Sequence, residues 1–109
     1  MSLKTERRQR LLPDGEPRYV RCYDNGGRSA DRYTVVFTGR YRRERDDEFM
    51  YLAMNDRPFH PQGFGQHGWS KSQIDRPSGR HLGRRIRFKE LPPDCQRAVL
   101  NSYQTLWNL

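Results

Sequence analysis

The stretch Leu91-Pro92-Pro93-Asp94-Cys95-Gln96-Arg97-Ala98-Val99-Leu100-Asn101-Ser102-Tyr103-Gln104-Thr105-Leu106-Trp107 decides the fold class. Leu91-Pro92-Pro93-Asp94 is a helix start. Proline fits the first turn, where its missing N–H is not needed, and Asp94 sits at the positive end of the helix dipole. Cys95, Val99, Ser102, Tyr103 and Leu106 then recur every three to four residues, with Trp107 beside them. This spacing predicts one amphipathic helix over 92–107.

Upstream, the pattern changes to period two. Arg32-Tyr33-Thr34-Val35-Val36-Phe37-Thr38 is rich in β-branched and aromatic residues and reads as the clearest strand. Residues 18–23 alternate in the same way and end at Asp24-Asn25-Gly26-Gly27, a turn whose residues tolerate positive φ. Residues 39–47 read as a charged hairpin loop, 48–54 as a third strand and 84–88 as a short fourth. The order β-β-β-loop-β-α predicts an α+β domain: a small antiparallel sheet of about four strands with the C-terminal helix on one face. Residues 17–109 form this single domain. Residues 1–16 read as a flexible tail, in which Pro13-Asp14-Gly15 is a turn that ends any helical turn over 4–12.

Alternation assigns the faces. Val20, Cys22, Tyr33, Val35, Phe37, Met50, Leu52, Met54, Ile86 and Phe88 are expected to face the helix. Tyr19, Arg21, Tyr23, Phe49, Tyr51, Arg85 and Arg87 are expected on the outer face. Aromatic rings mixed with guanidinium groups on an open sheet suit single-stranded nucleic acid, whose bases stack while its phosphates are paired. The competing reading is that Phe59, Phe64 and Trp69 of the long loop cover that face as a second small core.

The long loop, residues 55–81, holds all three histidines, His60, His67 and His81. No helix or strand period runs through it, and loops of this length in compact domains are functional or disordered. His60 or His67 beside Asp75, with Arg76 or Arg80 on a phosphate, is a conceivable phosphodiesterase layout. The bland alternative is that these histidines lock the loop by hydrogen bonds. There is no Gly-x-Ser-x-Gly elbow, no phosphate-loop Lys-Ser/Thr and no CxxC or helical His-x3-His spacing. Neither a metal nor a cofactor is expected.

The 109 residues are 33% hydrophobic, 31% charged and 12% aromatic, with a formal net charge of +8. That composition is polar for a globular chain, yet too aromatic for the disordered class. The cations are eighteen arginines and three lysines. Arginine suits bidentate phosphate contacts, although GC-rich coding also raises its count. Residues 76–89 carry six Lys or Arg and no acid. Such a segment either tracks phosphates or guards an exposed sheet edge with charge. The expected nucleic-acid contacts are Arg76, Arg80, Arg84, Arg85, Arg87 and Arg21, with Tyr19 and Tyr51 for stacking. An acidic protein partner fits the same charge, and a homodimer would explain exposed aromatics. Two cysteines, Cys22 and Cys95, are too few for a disulfide scaffold. With no signal peptide and no apolar run of membrane length, a cytoplasmic protein with free thiols and no membrane partner is expected.

Several blocks resemble a group of small proteins of unassigned function encoded in bacterial genomes, phages and plasmids. They are Arg18-Tyr19-Val20-Arg21-Cys22-Tyr23-Asp24-Asn25-Gly26-Gly27, Asp31-Arg32-Tyr33-Thr34-Val35-Val36-Phe37-Thr38-Gly39, Pro58-Phe59-His60-Pro61-Gln62-Gly63-Phe64-Gly65-Gln66-His67, Ile74-Asp75-Arg76-Pro77, His81-Leu82-Gly83 and Leu91-Pro92-Pro93-Asp94-Cys95-Gln96. The similarity spans most of the chain after residue 17 and is weakest over 40–50 and 69–73. The resemblance implies a mobile-element or bacterial origin and raises the expectation of nucleic-acid handling or interference with a host protein. It carries no activity or ligand. Two further expectations stand beside the binding module: a small hydrolase using His60, His67 and Asp75, and an oligomeric structural or inhibitory protein.

Overall fold

A computed structural model describes residues 15–38, 49–70 and 82–107. Among them are five strands, a 3-10 turn and one helix. The strands are β1 (Val20–Asp24), β2 (Tyr33–Phe37), β3 (Phe49–Met54), β4 (Gly65–Ser70) and β5 (Arg84–Ile86). The 3-10 turn is Phe88–Glu90 and the helix, α1, is Pro93–Trp107. The strands form one antiparallel sheet in the order β4-β3-β2-β1-β5. Four strands therefore run as a meander, and the chain then crosses to the far edge to lay β5 beside β1. This is the α+β arrangement expected, with one strand more.

The extra strand, β4, lies inside the segment read as a structureless loop. Its residues, Gly-Gln-His-Gly-Trp-Ser, carry no β-branched side chain and two glycines. The pairing is imposed by β3, whose Tyr51 stands opposite Gly68. A Cβ at Gly68 would lie 2.5 Å from the Tyr51 ring. The glycine thus leaves room for an aromatic ring to lie across it, a use of strand glycine that local propensity does not register.

The face assignment of the strand residues holds. Cys22, Val35, Phe37, Leu52 and Met54 form one buried cluster with Leu91, Cys95, Val99 and Tyr103. Cys95, Val99 and Tyr103, spaced by four, are wholly buried, so α1 lays one stripe on the sheet. Tyr19 departs from the expectation: it packs against this helix-side core. Residues 18 and 19 form a bend before β1, and alternation does not extend into a bend.

The outer face is not an open platform. Thr34, Val36 and Ala53, at its centre, are buried. Nor does Phe59 reach it. The β3–β4 connection, residues 55–64, folds toward the helix instead: the Arg97 guanidinium lies 4.5 Å from the centroid of the Phe59 ring. The Cys95 thiol donates to the Asn55 carbonyl at 3.2 Å. Asn55 also holds the loop to itself, its Oδ1 accepting from the N–H groups of Arg57 and Phe64 at 3.0 and 3.3 Å. No helix among the described residues is long and apolar enough to cross a membrane.

Candidate nucleic-acid interface

The cationic edge of the sheet is built by β5 and the turn after it. Arg84 pairs with Asp24 and Arg85 with Tyr23 across the β1–β5 ladder, leaving Ile86 opposite Cys22 in the core. Ile86 anchors the strand, so Arg84 and Arg85 remain exposed. The chain then leaves the sheet at Arg87. The Glu90 carboxylate accepts the Arg87 backbone N–H at 2.6 Å, and the Glu90 N–H returns to the Arg87 carbonyl at 3.0 Å. This reciprocal cap turns the chain sharply and keeps Arg87 and Lys89 on the surface.

Because β5 is only three residues long, β1 continues past it. A groove of about 680 Å³ opens there, with Arg18, Arg85, Arg87 and Lys89 in its walls and Val20 and Phe88 among its apolar residues. Two carboxylates share it, Glu16 and Glu90. Lys89 lies 3.8 Å from Glu16 and Arg84 lies 4.0 Å from Glu90. The Arg84–Glu90 pair is exposed and contributes at most about 1 kcal/mol, whereas the Glu16 carboxylate in the other pair is half-buried. Tyr23, half-buried on the outer face, stands beside Arg85, and Arg21, also half-buried, follows on the same face opposite Val36.

The sheet end that bears β5 is braced by a dense turn. Arg32 donates to both carboxylate oxygens of Asp24, at 2.8 and 3.1 Å. That hydrogen bond is the main reason the Asp24 carboxyl stays below its ordinary range. Asn25 is buried and makes four side-chain hydrogen bonds. It accepts from Gly27 and Arg28 N–H at 2.9 and 3.0 Å, and donates to Ser29 Oγ and the Asp31 carbonyl at 2.8 and 3.2 Å. Gly83, just before β5, has φ +89° and is pressed against the backbone of Asp24 and Asn25. The turn thereby fixes where β5 begins.

The residues singled out from the sequence fall in three groups. Arg84, Arg85 and Arg87 come together on this edge. Tyr51 is half-buried with its ring by Gly68, and Tyr19 is packed on the core. Asp75, Arg76, Arg80 and His81 lie outside the described residues, as do the hairpin 39–47 and residues 1–14. Of the histidines, His60 Nδ1 accepts the Gln62 N–H at 3.0 Å, a local loop lock. His67 Nε2 lies 2.8 Å from Ser102 Oγ and ties β4 to the helix. A shallow depression of about 260 Å³ beside this pair is walled by Met50, Asn101, Thr105 and Leu106.

Burial pushes the thiols of Cys22 and Cys95 up to about 12, with Asp56 and Asp94 adding to the effect at Cys95. Both stay protonated near neutrality and are poor nucleophiles. Among the described residues, no three His, Cys, Asp or Glu side chains gather as a metal site would need. Arg18 and the bracing role of Asn25 were not read from the sequence, whereas Tyr23 was expected on the outer face with Arg85. Asn25 was legible as a turn residue. The placing of Arg18 at the groove follows only from the end of β5. Compared with known protein families, curated proteins and solved structures, the chain matches none.

Proposed function

We propose that the protein is a basic, non-enzymatic module that binds nucleic acid through the β5 edge. The observation that carries this reading is the convergence of Arg18, Arg84, Arg85, Arg87 and Lys89 along one edge and its groove, opposed there by Glu16 and Glu90. Guanidinium groups pair phosphate oxygens with fixed geometry. Tyr23 beside Arg85 supplies a ring for base stacking, in place of Tyr19 and Tyr51, which are engaged elsewhere. Anchoring by Ile86 and the Glu90 cap holds the cations on regular backbone, which lowers the ordering cost of binding.

The test is fluorescence anisotropy with labelled single- and double-stranded DNA and RNA across a salt series. Arg85→Ala and Arg87→Ala should each weaken binding to all sequences alike and reduce the log–log salt slope by about one. Tyr23→Ala should leave the slope unchanged and weaken single-strand binding by about 1–3 kcal/mol. An unchanged slope in both arginine variants would overturn the assignment.

A further inference from the structure

The two edges of the sheet are guarded very differently. β5 is short and carries two exposed arginines, which discourages another strand from pairing with it. β4 has six residues and no Lys, Arg, Asp, Glu or Pro. Among the described residues, no strand pairs with its outer side.

The ladder shows which backbone groups point outward. Asn55 N–H donates to the Phe64 carbonyl at 3.3 Å, one step beyond the Met54–Gly65 pair. Hydrogen-bonded and non-hydrogen-bonded pairs alternate in an antiparallel ladder. Gln66, Gly68 and Ser70 therefore direct their N–H and C=O to β3, and Gly65, His67 and Trp69 direct theirs away from the sheet. Carrying the alternation across from the β1–β2 bonds Asn25 to Arg32 and Thr38 to Tyr19 gives the same answer.

Gly65, His67 and Trp69 are symmetric about His67. We infer that a second copy of this chain pairs antiparallel with β4 about a two-fold axis through His67, normal to the sheet. His67 then faces the partner's His67, and Gly65 faces the partner's Trp69. Each such pair exchanges two backbone hydrogen bonds. Residues of one face meet residues of the same face, so both helices lie on one side of a continuous sheet. A register centred on Gly68 would satisfy fewer of the outward groups within β4.

Charge favours this edge over any other. The arginine edge lies four strand spacings away, roughly 19 Å, more than twice the ~8 Å screening length at physiological salt. The +8 chain thus meets its copy along a strand whose own residues carry no formal charge. The depression walled by Met50 and Leu106 flanks the seam. The pair would hold its two arginine edges roughly 43 Å apart, at opposite ends of one sheet.

Sedimentation of the full chain up to about 200 µM, equivalent as a Kd to about 5 kcal/mol of association, should show twice the 13.1 kDa monomer mass. His67→Pro removes a central N–H that β3 does not use and should weaken dimerisation at least about tenfold. His67→Ala should not. Under mild oxidation His67→Cys should cross-link to itself, since hydrogen-bonded partners lie about 5.5 Å apart at Cα. Gln66→Cys should not, because Gln66 faces the partner's Gly68. A monomeric wild-type chain, or equal cross-linking at 66 and 67, would overturn the inference. If His67→Pro fails to fold, the two cysteine variants decide. None of these outcomes depends on nucleic-acid binding.

Discussion

Replacing Gly83 with alanine tests whether the turn after β1 positions the cationic edge. Two costs add. Gly83 sits at φ +89°, where an L side chain is strained by about 1–2 kcal/mol. Its new Cβ would also be driven into the Asp24 carbonyl and the backbone of Asn25. Neither can withdraw cheaply. Asp24 is held by Arg32, and the Asn25 side chain makes four hydrogen bonds. Overpacking against fixed atoms costs about 1–3 kcal/mol, so the total should be about 2–5 kcal/mol. Gly26→Ala is the control: φ is +74° and nothing lies within 4 Å of the added Cβ, leaving only the strain of about 1–2 kcal/mol. Urea unfolding followed by circular dichroism measures both. Fully folded Gly83→Ala, at low urea, should also bind nucleic acid more weakly, because β5 must shift to relieve the contact. If the two variants lose equal stability, or if Gly83→Ala binds like wild type, the bracing argument is wrong.

The same network predicts that Asn25→Ala costs about 2–4 kcal/mol, four hydrogen bonds near 1 kcal/mol each being lost from a buried site; thermal melts would show it. Gly68→Ala should destabilise by about 1–2 kcal/mol in the wild-type background and by much less alongside Tyr51→Ala, since the three atoms nearest the added methyl all belong to the Tyr51 side chain. A double-mutant cycle without coupling would refute that packing. Alkaline pH should unfold the protein early. Burial raises the Cys22 and Cys95 thiols in the folded state, against the opposing pull of Arg85 at Cys22 and with the help of Asp56 and Asp94 at Cys95, and burial raises the Tyr33 phenol too. The unfolded chain therefore releases these protons first. The stabilisation is complete below pH 9 and is lost as pH climbs from 9 toward 12, by about 1.4 kcal/mol per pH unit for each thiol. Cys22→Ser with Cys95→Ser should flatten the pH 9–10 region of the stability profile. Tyr103→Ala, emptying a wholly buried position under α1, should cost about 3–5 kcal/mol.

The sequence by itself determined the helix, four of the strands and the face that each residue of those four strands takes. Those features follow from local periodicity: Cys95, Val99 and Tyr103 repeat at helical spacing, and Val35 and Phe37 alternate at strand spacing. It also exposed the charge that sets the candidate partner class. It did not reveal β4, whose glycines and polar residues are made into a strand by the neighbouring Tyr51 and the β3 ladder. Nor did it show that Tyr19 turns inward or that Phe59 meets Arg97 on the helix. The arginines at 84, 85 and 87 were legible as a basic run. Their union with Arg18 was not, because residues more than sixty positions apart meet only when β5 crosses the sheet to pair with β1. Periodicity is a property of neighbours in sequence, whereas the site is a property of strand order, and strand order is fixed by long-range pairing.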